Sequence, residues 1–199
     1  MSKCFSILLA LMAAVGLLAL CVLCLGLSGP LMAHLFEAHS QAAGDYEALA
    51  REITAYLDGQ AAGLPSFQAH EAAHMADVRG LFLLCKGLAG LGLLCAGALG
   101  LRQGWKACAL TQLGVLALLG LLALWAALDF DSLFIAFHRL AFRNDLWLLN
   151  PQRDLLLQLM PTAFFVDYAA RIGGAYAGCA PGVVVLTLCL DRRKRHELS

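Results

Sequence analysis

Four long apolar runs constrain this chain more than any other feature. A bilayer core about 30 Å thick is crossed by roughly 20 apolar residues in helix. Phe5–Leu27, Leu81–Leu101, Ala107–Leu128 and Phe164–Leu190 each reach that length. The last is the weakest, because Asp167 and Arg171 interrupt its first turns. Composition agrees: 61% of the residues are hydrophobic and 14% charged, against about half and a quarter in soluble domains. Gly87, Gly90, Gly92, Gly97 and Gly100 count against a soluble helix but let membrane helices approach closely. The first run is longer than the roughly 7–15 residues of a secretion-signal core, and no small-x-small site follows it, so it reads as a retained membrane helix. The expected fold is all-α. It is a single membrane domain over residues 1–199, a four-helix bundle with an extracytoplasmic cap formed by two loops containing short amphipathic helices.

Charge orients the chain through the positive-inside bias. Lys3, Arg102, Lys106 and the run Arg192-Arg193-Lys194-Arg195 fall in short basic segments, which belong in the cytoplasm. The longer loops 28–79 and 129–163 carry most of the acids and belong outside, leaving both termini cytoplasmic. From Gly44 to Leu57, Tyr46, Leu49, Ile53, Tyr56 and Leu57 recur near helical spacing, predicting an amphipathic helix on the outer membrane surface or over the bundle. Pro65-Ser66 offers a break and an N-cap for a helix running on into the second span. Net charge near zero argues against a nucleic-acid partner.

Eight cysteines invite a redox reading, but every one falls inside a span or toward the cytoplasm, and both outer loops have none. Such thiols behave as small hydrophobes. His39 and His34 are expected to face solvent, and Asp167 and Arg171 to pair at i,i+4.

Two polar segments at the outer surface need another explanation. In the first, His70, His74 and Asp77 share a helix face. His70-Glu71-x-x-His74 also fits the zinc-peptidase pattern of two imidazole ligands with a glutamate base. His138 or Asp145 would then have to supply a third ligand. In the second, Phe137 to Pro151 mixes His, Arg, Asn, Asp and aromatics beside a membrane, where polar groups persist only if satisfied or useful.

The two segments together resemble the lipoprotein intramolecular transacylases, a family of small bacterial integral membrane proteins. The resemblance rests on His74-Met75-x-Asp77-Val78-Arg79, and on Phe137-His138 followed by Phe142-x-Asn144-Asp145-x-Trp147-Leu148-Leu149-x-Pro151. Asp154, Pro161 and Phe164-Phe165 continue it. Ala141 where an aromatic is expected, Asn150 where Asp is usual and Thr162 where Glu is common depart from the pattern.

The resemblance implies an enzyme of the bacterial cell membrane, with its site at the extracytoplasmic face and membrane lipids around it. Its substrate would be a diacylated lipoprotein, whose sn-2 acyl chain moves from glycerol oxygen to the α-amine of the N-terminal cysteine to give the lyso form. No cofactor or metal is implied. His74 and His138 suit the proton transfers, with Asp77 placed to fix the tautomer of His74. Met75, Arg79, Phe142, Asn144, Asp145 and Trp147 join Asp77 as expected substrate-binding or supporting residues. Ser132 is a weaker nucleophile candidate. A zinc-dependent membrane peptidase and a non-enzymatic lipoprotein-binding protein are the competing readings.

Overall fold

Backbone polar groups inside hydrocarbon must be satisfied within their own segment, and helix does this locally. The computed structural model describes residues 3–101 and 105–197; Arg102, one of the charges that orient the chain, lies outside them. The described residues form helices α1 (Lys3–Gly26), α2 (Gly29–His39), α3 (Tyr46–Asp58), α4 (Ala69–Leu101), α5 (Trp105–Leu128), α6 (Phe130–Ala141), α7 (Leu155–Leu159) and α8 (Thr162–Glu197), with no strand among them. Four of these, α1, α4, α5 and α8, are long and apolar enough to cross a membrane, as the sequence leads one to expect.

The chain divides into two compact units. One comprises Met1–Leu23, Leu84–Leu121 and Ile172–Ser199, the other Cys24–Leu83 and Leu122–Arg171. Small residues set the packing of the first. A methyl group added to Gly16 would lie 2.5 Å from the Gly92 Cα, so the α1 and α4 backbones meet there without side chains between them. Ala10, Ala13, Cys95, Leu99 and Cys108 surround the contact with an apolar core. Deeper along α5, the Tyr176 hydroxyl donates to the Gln112 Oε1, a buried polar link between α8 and α5.

The second unit is organised by caps. Asp45 caps α3 through the Ala48 N–H at 3.0 Å, and Gly59 closes it at φ +92°, where a side chain would be strained. Of the face predicted to be apolar, Ile53, Tyr56 and Leu57 are buried and Tyr46 and Leu49 partly so; with Ala50 they pack with Leu35 and Phe36 of α2 and with Leu156, Leu159 and Phe164. The start of α4 differs from the sequence expectation. Ser66 does not cap it; its N–H and hydroxyl both donate to the Glu52 carboxylate, at 3.0 and 2.6 Å. The helix begins at Ala69, and Glu71 supplies the cap by reaching back to the Gln68 N–H at 2.8 Å. His39 also departs from expectation. Its Nε2 lies 3.2 Å from the Asp167 carboxylate, which Arg171 holds from the other side at 2.8 Å as its sequence spacing foretold.

Replacing Gly16 with Leu is expected to lower stability by about 1–3 kcal/mol, the usual cost of overpacking. Leu at Gly97, whose added Cβ would meet nothing within 4 Å, is expected to be tolerated. Thermal unfolding of both variants in one detergent checks the contrast.

Candidate active site

Two histidines separated by 64 positions come together in the second unit. His74 stands on the second turn of α4, and His138 near the end of α6. Their ring centroids are 6.0 Å apart, and both side chains are buried. Helical spacing builds the wall around them. Phe130, Phe134 and His138 form one stripe along α6, and the Phe134 ring lies 3.9 Å from the His138 ring. Phe142 ends the helix, donating its N–H to the His138 carbonyl at 2.8 Å, and its ring contacts both imidazoles, at 5.1 Å from His74 and 5.5 Å from His138. Trp147 closes against His138 at 5.0 Å.

The surroundings determine the protonation states. Burial lowers the His74 pKa to about 4; the proximity of His138 adds to this and the Asp77 carboxylate opposes it. Burial also lowers the pKa of His138, with the hydrogen bond to the Phe134 carbonyl working against it. A carbonyl can only accept, so at 2.8 Å the His138 Nδ1 must carry the hydrogen. The neutral ring then presents its lone pair at Nε2. His74 Nδ1 is buried and has no hydrogen-bond partner, an omission a folded protein keeps only for a reason.

The other residues singled out from sequence are placed unequally. Asn144 donates to the Asp77 carboxylate at 2.9 Å and accepts from the Leu146 N–H at 3.1 Å, so it fixes the loop after α6 to α4. Asp77 thus has Asn144 as its hydrogen-bonding partner and acts on His74 through charge. Arg79 lies over the Tyr56 ring, 5.1 Å from its centroid. Met75 belongs to the apolar core. Asp145 is exposed beside Arg139 and Arg143 in a surface cleft. The Ser132 hydroxyl accepts the Trp125 indole N–H at 2.9 Å, and its six-residue offset puts it on a different face of α6 from His138.

Among the described residues the run His70-Glu71-x-x-His74 does not assemble as a metal site; its first two residues are engaged elsewhere. Glu71 is fully buried. One carboxylate oxygen accepts the Gln68 N–H and the other accepts the Leu156 N–H at 2.7 Å, so it caps α4 and α7 together. The His70 Nε2 lies 3.1 Å from the buried Asp154 carboxylate, which also takes the Asn150 N–H at 2.6 Å. That N–H, against the effect of burial, and then His70 hold Asp154 below the usual carboxylate range. Among the described residues no three His, Cys, Asp or Glu side chains are grouped to hold a metal ion. Sequence reasoning missed this double cap and Phe134; the Phe130/Phe134/His138/Phe142 spacing of four was the signal available for the latter.

Long apolar helices and, in the second unit, two neighbouring imidazoles buried behind aromatic rings are the features of a membrane protein with a histidine pair shielded from water. The profile of the lipoprotein intramolecular transacylase Lit matches residues 33–165, more than half of the chain. The chain belongs to the Lit family, and is accordingly a membrane-integral transferase acting on a lipoprotein. The solved Lit from Bacillus cereus is similar in fold, with a TM-score of 0.76 at 18% identity over 96% of this chain and 97% of that one. Two forms of the same protein, with one histidine changed to arginine or to alanine, give TM-scores of 0.68 and 0.71 at 18% and 19% identity. They cover 98% and 96% of this chain, and 94% of each of theirs. No curated protein sequence matches significantly.

Two outcomes are expected. Glu71→Ala leaves the buried Leu156 N–H and the part-buried Gln68 N–H without their acceptor and should cost about 1–3 kcal/mol, read from denaturant unfolding. NMR titration of His74 should show a midpoint near 4. An unfolded chain binds that proton near 6.5 and the folded chain does not, so the His74 contribution weakens stability as pH falls from about 6.5 to about 4.

Proposed function

We propose that this transacylase moves the sn-2 acyl chain of a diacylglyceryl lipoprotein from glycerol oxygen to the α-amine of the N-terminal cysteine, giving the lyso form. The observation that carries the reading is the facing pair His74 and His138, both held neutral by burial. Ester and amine belong to one substrate molecule, so holding them together supplies much of the rate by proximity.

The neutral amine attacks the ester carbonyl carbon. A C–N bond forms, the carbonyl oxygen becomes an oxyanion, and the nitrogen must lose a proton. His138 Nε2 accepts it, its tautomer being fixed by the Phe134 carbonyl. The C–O bond to glycerol then breaks, and the proton passes to the departing alkoxide. Product and substrate are isomers, and nothing else is consumed.

His74 plays the complementary part. With its pKa near 4 it is a weak base, but a neutral imidazole with a low pKa remains an N–H donor to developing negative charge. Asn144 keeps its second amide hydrogen after bonding Asp77 and can add to that stabilisation. Phe142 and Trp147 exclude water, which would otherwise hydrolyse the ester. The basic segments at Lys106 and Arg192-Arg193 support a cytoplasmic tail and a site at the extracytoplasmic face.

His74→Ala and His138→Ala are each expected to slow transfer by about 10²-fold or more. Because mass is unchanged by the reaction, tandem mass spectrometry of the N-terminal lipopeptide must locate the acyl chain. An N-acyl cysteine that survives both substitutions sinks the mechanism. The acid limb of the rate should follow the substrate amine, whose pKa is about 7.7–8.0, with no further inflection until the histidines protonate well below it.

A further inference from the structure

A surface cleft of ≈ 260 Å³ opens beside the paired histidines, and Arg139, Arg143, Asn144 and Asp145 line it together with Phe142 and Trp147. Those two rings are the ones that press on His138. The cleft therefore begins where the imidazole wall ends. Its charge is unbalanced, with two guanidinium groups against one carboxylate. Among the described residues neither Arg139 nor Arg143 has an ion-pair or hydrogen-bond partner. Each guanidinium carries five N–H donors in a planar fork suited to carboxylates and carbonyls.

Elsewhere α6 offers the opposite chemistry. Phe137 is 50% exposed and Leu140 89% exposed, a surface fit for hydrocarbon. The substrate of the proposed transfer has the same two-sided character: acyl chains leave its cysteine on one side, and a polar peptide leaves on the other. With the amine at His138, the cationic cleft is the neighbouring surface for the peptide, because Phe142 and Trp147 belong both to its lining and to the wall around that imidazole.

The geometry points to a peptide subsite: Arg139 and Arg143 bind the residues that follow the lipidated cysteine and favour acidic side chains there. The inference rests on the transfer reading and adds sequence selectivity to it.

The test uses the full-length protein in phosphatidylcholine vesicles with three synthetic diacylglyceryl-cysteinyl peptides. These carry two glutamates, two glutamines or two lysines at the third and fourth positions. The glutamate peptide is expected to turn over about threefold to tenfold faster than the lysine peptide at low concentration, the range for exposed charge-assisted pairs. At saturation the difference should shrink, since it lies in KM. Arg139→Gln with Arg143→Gln should bring the glutamate-to-lysine ratio to about one, and Arg139→Glu with Arg143→Glu should invert it. Ratios cancel any general loss of activity. An unchanged ratio in these variants overturns the subsite. So does an equal slowing of all three peptides, since it leaves the ratio as it was. If no peptide yields N-acyl product, the transfer reading itself falls, and the subsite with it.

Discussion

The loop that carries much of the site is fastened to α4 three residues before His74 and again three residues after it. Glu71, fully buried, gives one oxygen to the start of its own helix and the other to the Leu156 N–H. Asp77 takes the amide of Asn144. A buried carboxylate is costly unless its oxygens are satisfied, and Glu71 satisfies them entirely with backbone. The consequence is geometric: the segment from Phe142 to Leu156 is pinned at two points to the helix that bears His74. Trp147 lies between those pins, so its position against His138 is set by hydrogen bonds remote from the ring.

This arrangement accounts for how charge is managed near a membrane. The imidazoles are walled by aromatic rings, and burial keeps both neutral. Charged groups lie around them with their own tasks: Asp77 with Asn144, Asp154 with His70, Arg79 over Tyr56. A base near a low-dielectric medium works best when it begins uncharged, because the reaction then creates ionic character only transiently.

How much of this was legible in the sequence depends on the range of the interaction involved. The membrane helices and α3 are local patterns, written in apolar runs and in the helical spacing of Tyr46, Leu49, Ile53, Tyr56 and Leu57, and they stand close to where the sequence put them. Two spaced motifs singled out His74 and His138, and the structure places their rings 6.0 Å apart. The partners of Glu71 and His70 were not. Both residues sit in a run that resembles a zinc motif, and their partners, Leu156 and Asp154, lie more than eighty positions away. Spacing within a helix cannot reveal which way a carboxylate will turn when its donor comes from a distant segment. The partner of Ser66 was hidden for the same reason: Glu52, fourteen positions back, takes both its N–H and its hydroxyl hydrogen.

The bond from His138 Nδ1 to the carbonyl one turn back has a final consequence. With that nitrogen committed, the ring has a single door. Any proton it admits must leave by the atom through which it entered. A catalyst of this kind cannot relay charge from one side of its ring to the other. In the transfer we propose, the proton-giving nitrogen and the proton-taking oxygen therefore visit the same spot in turn. The molecule being rearranged has to curl tightly enough to make that exchange. In that proposal the substrate's own flexibility, and not any travel by the imidazole, is the moving part of the reaction.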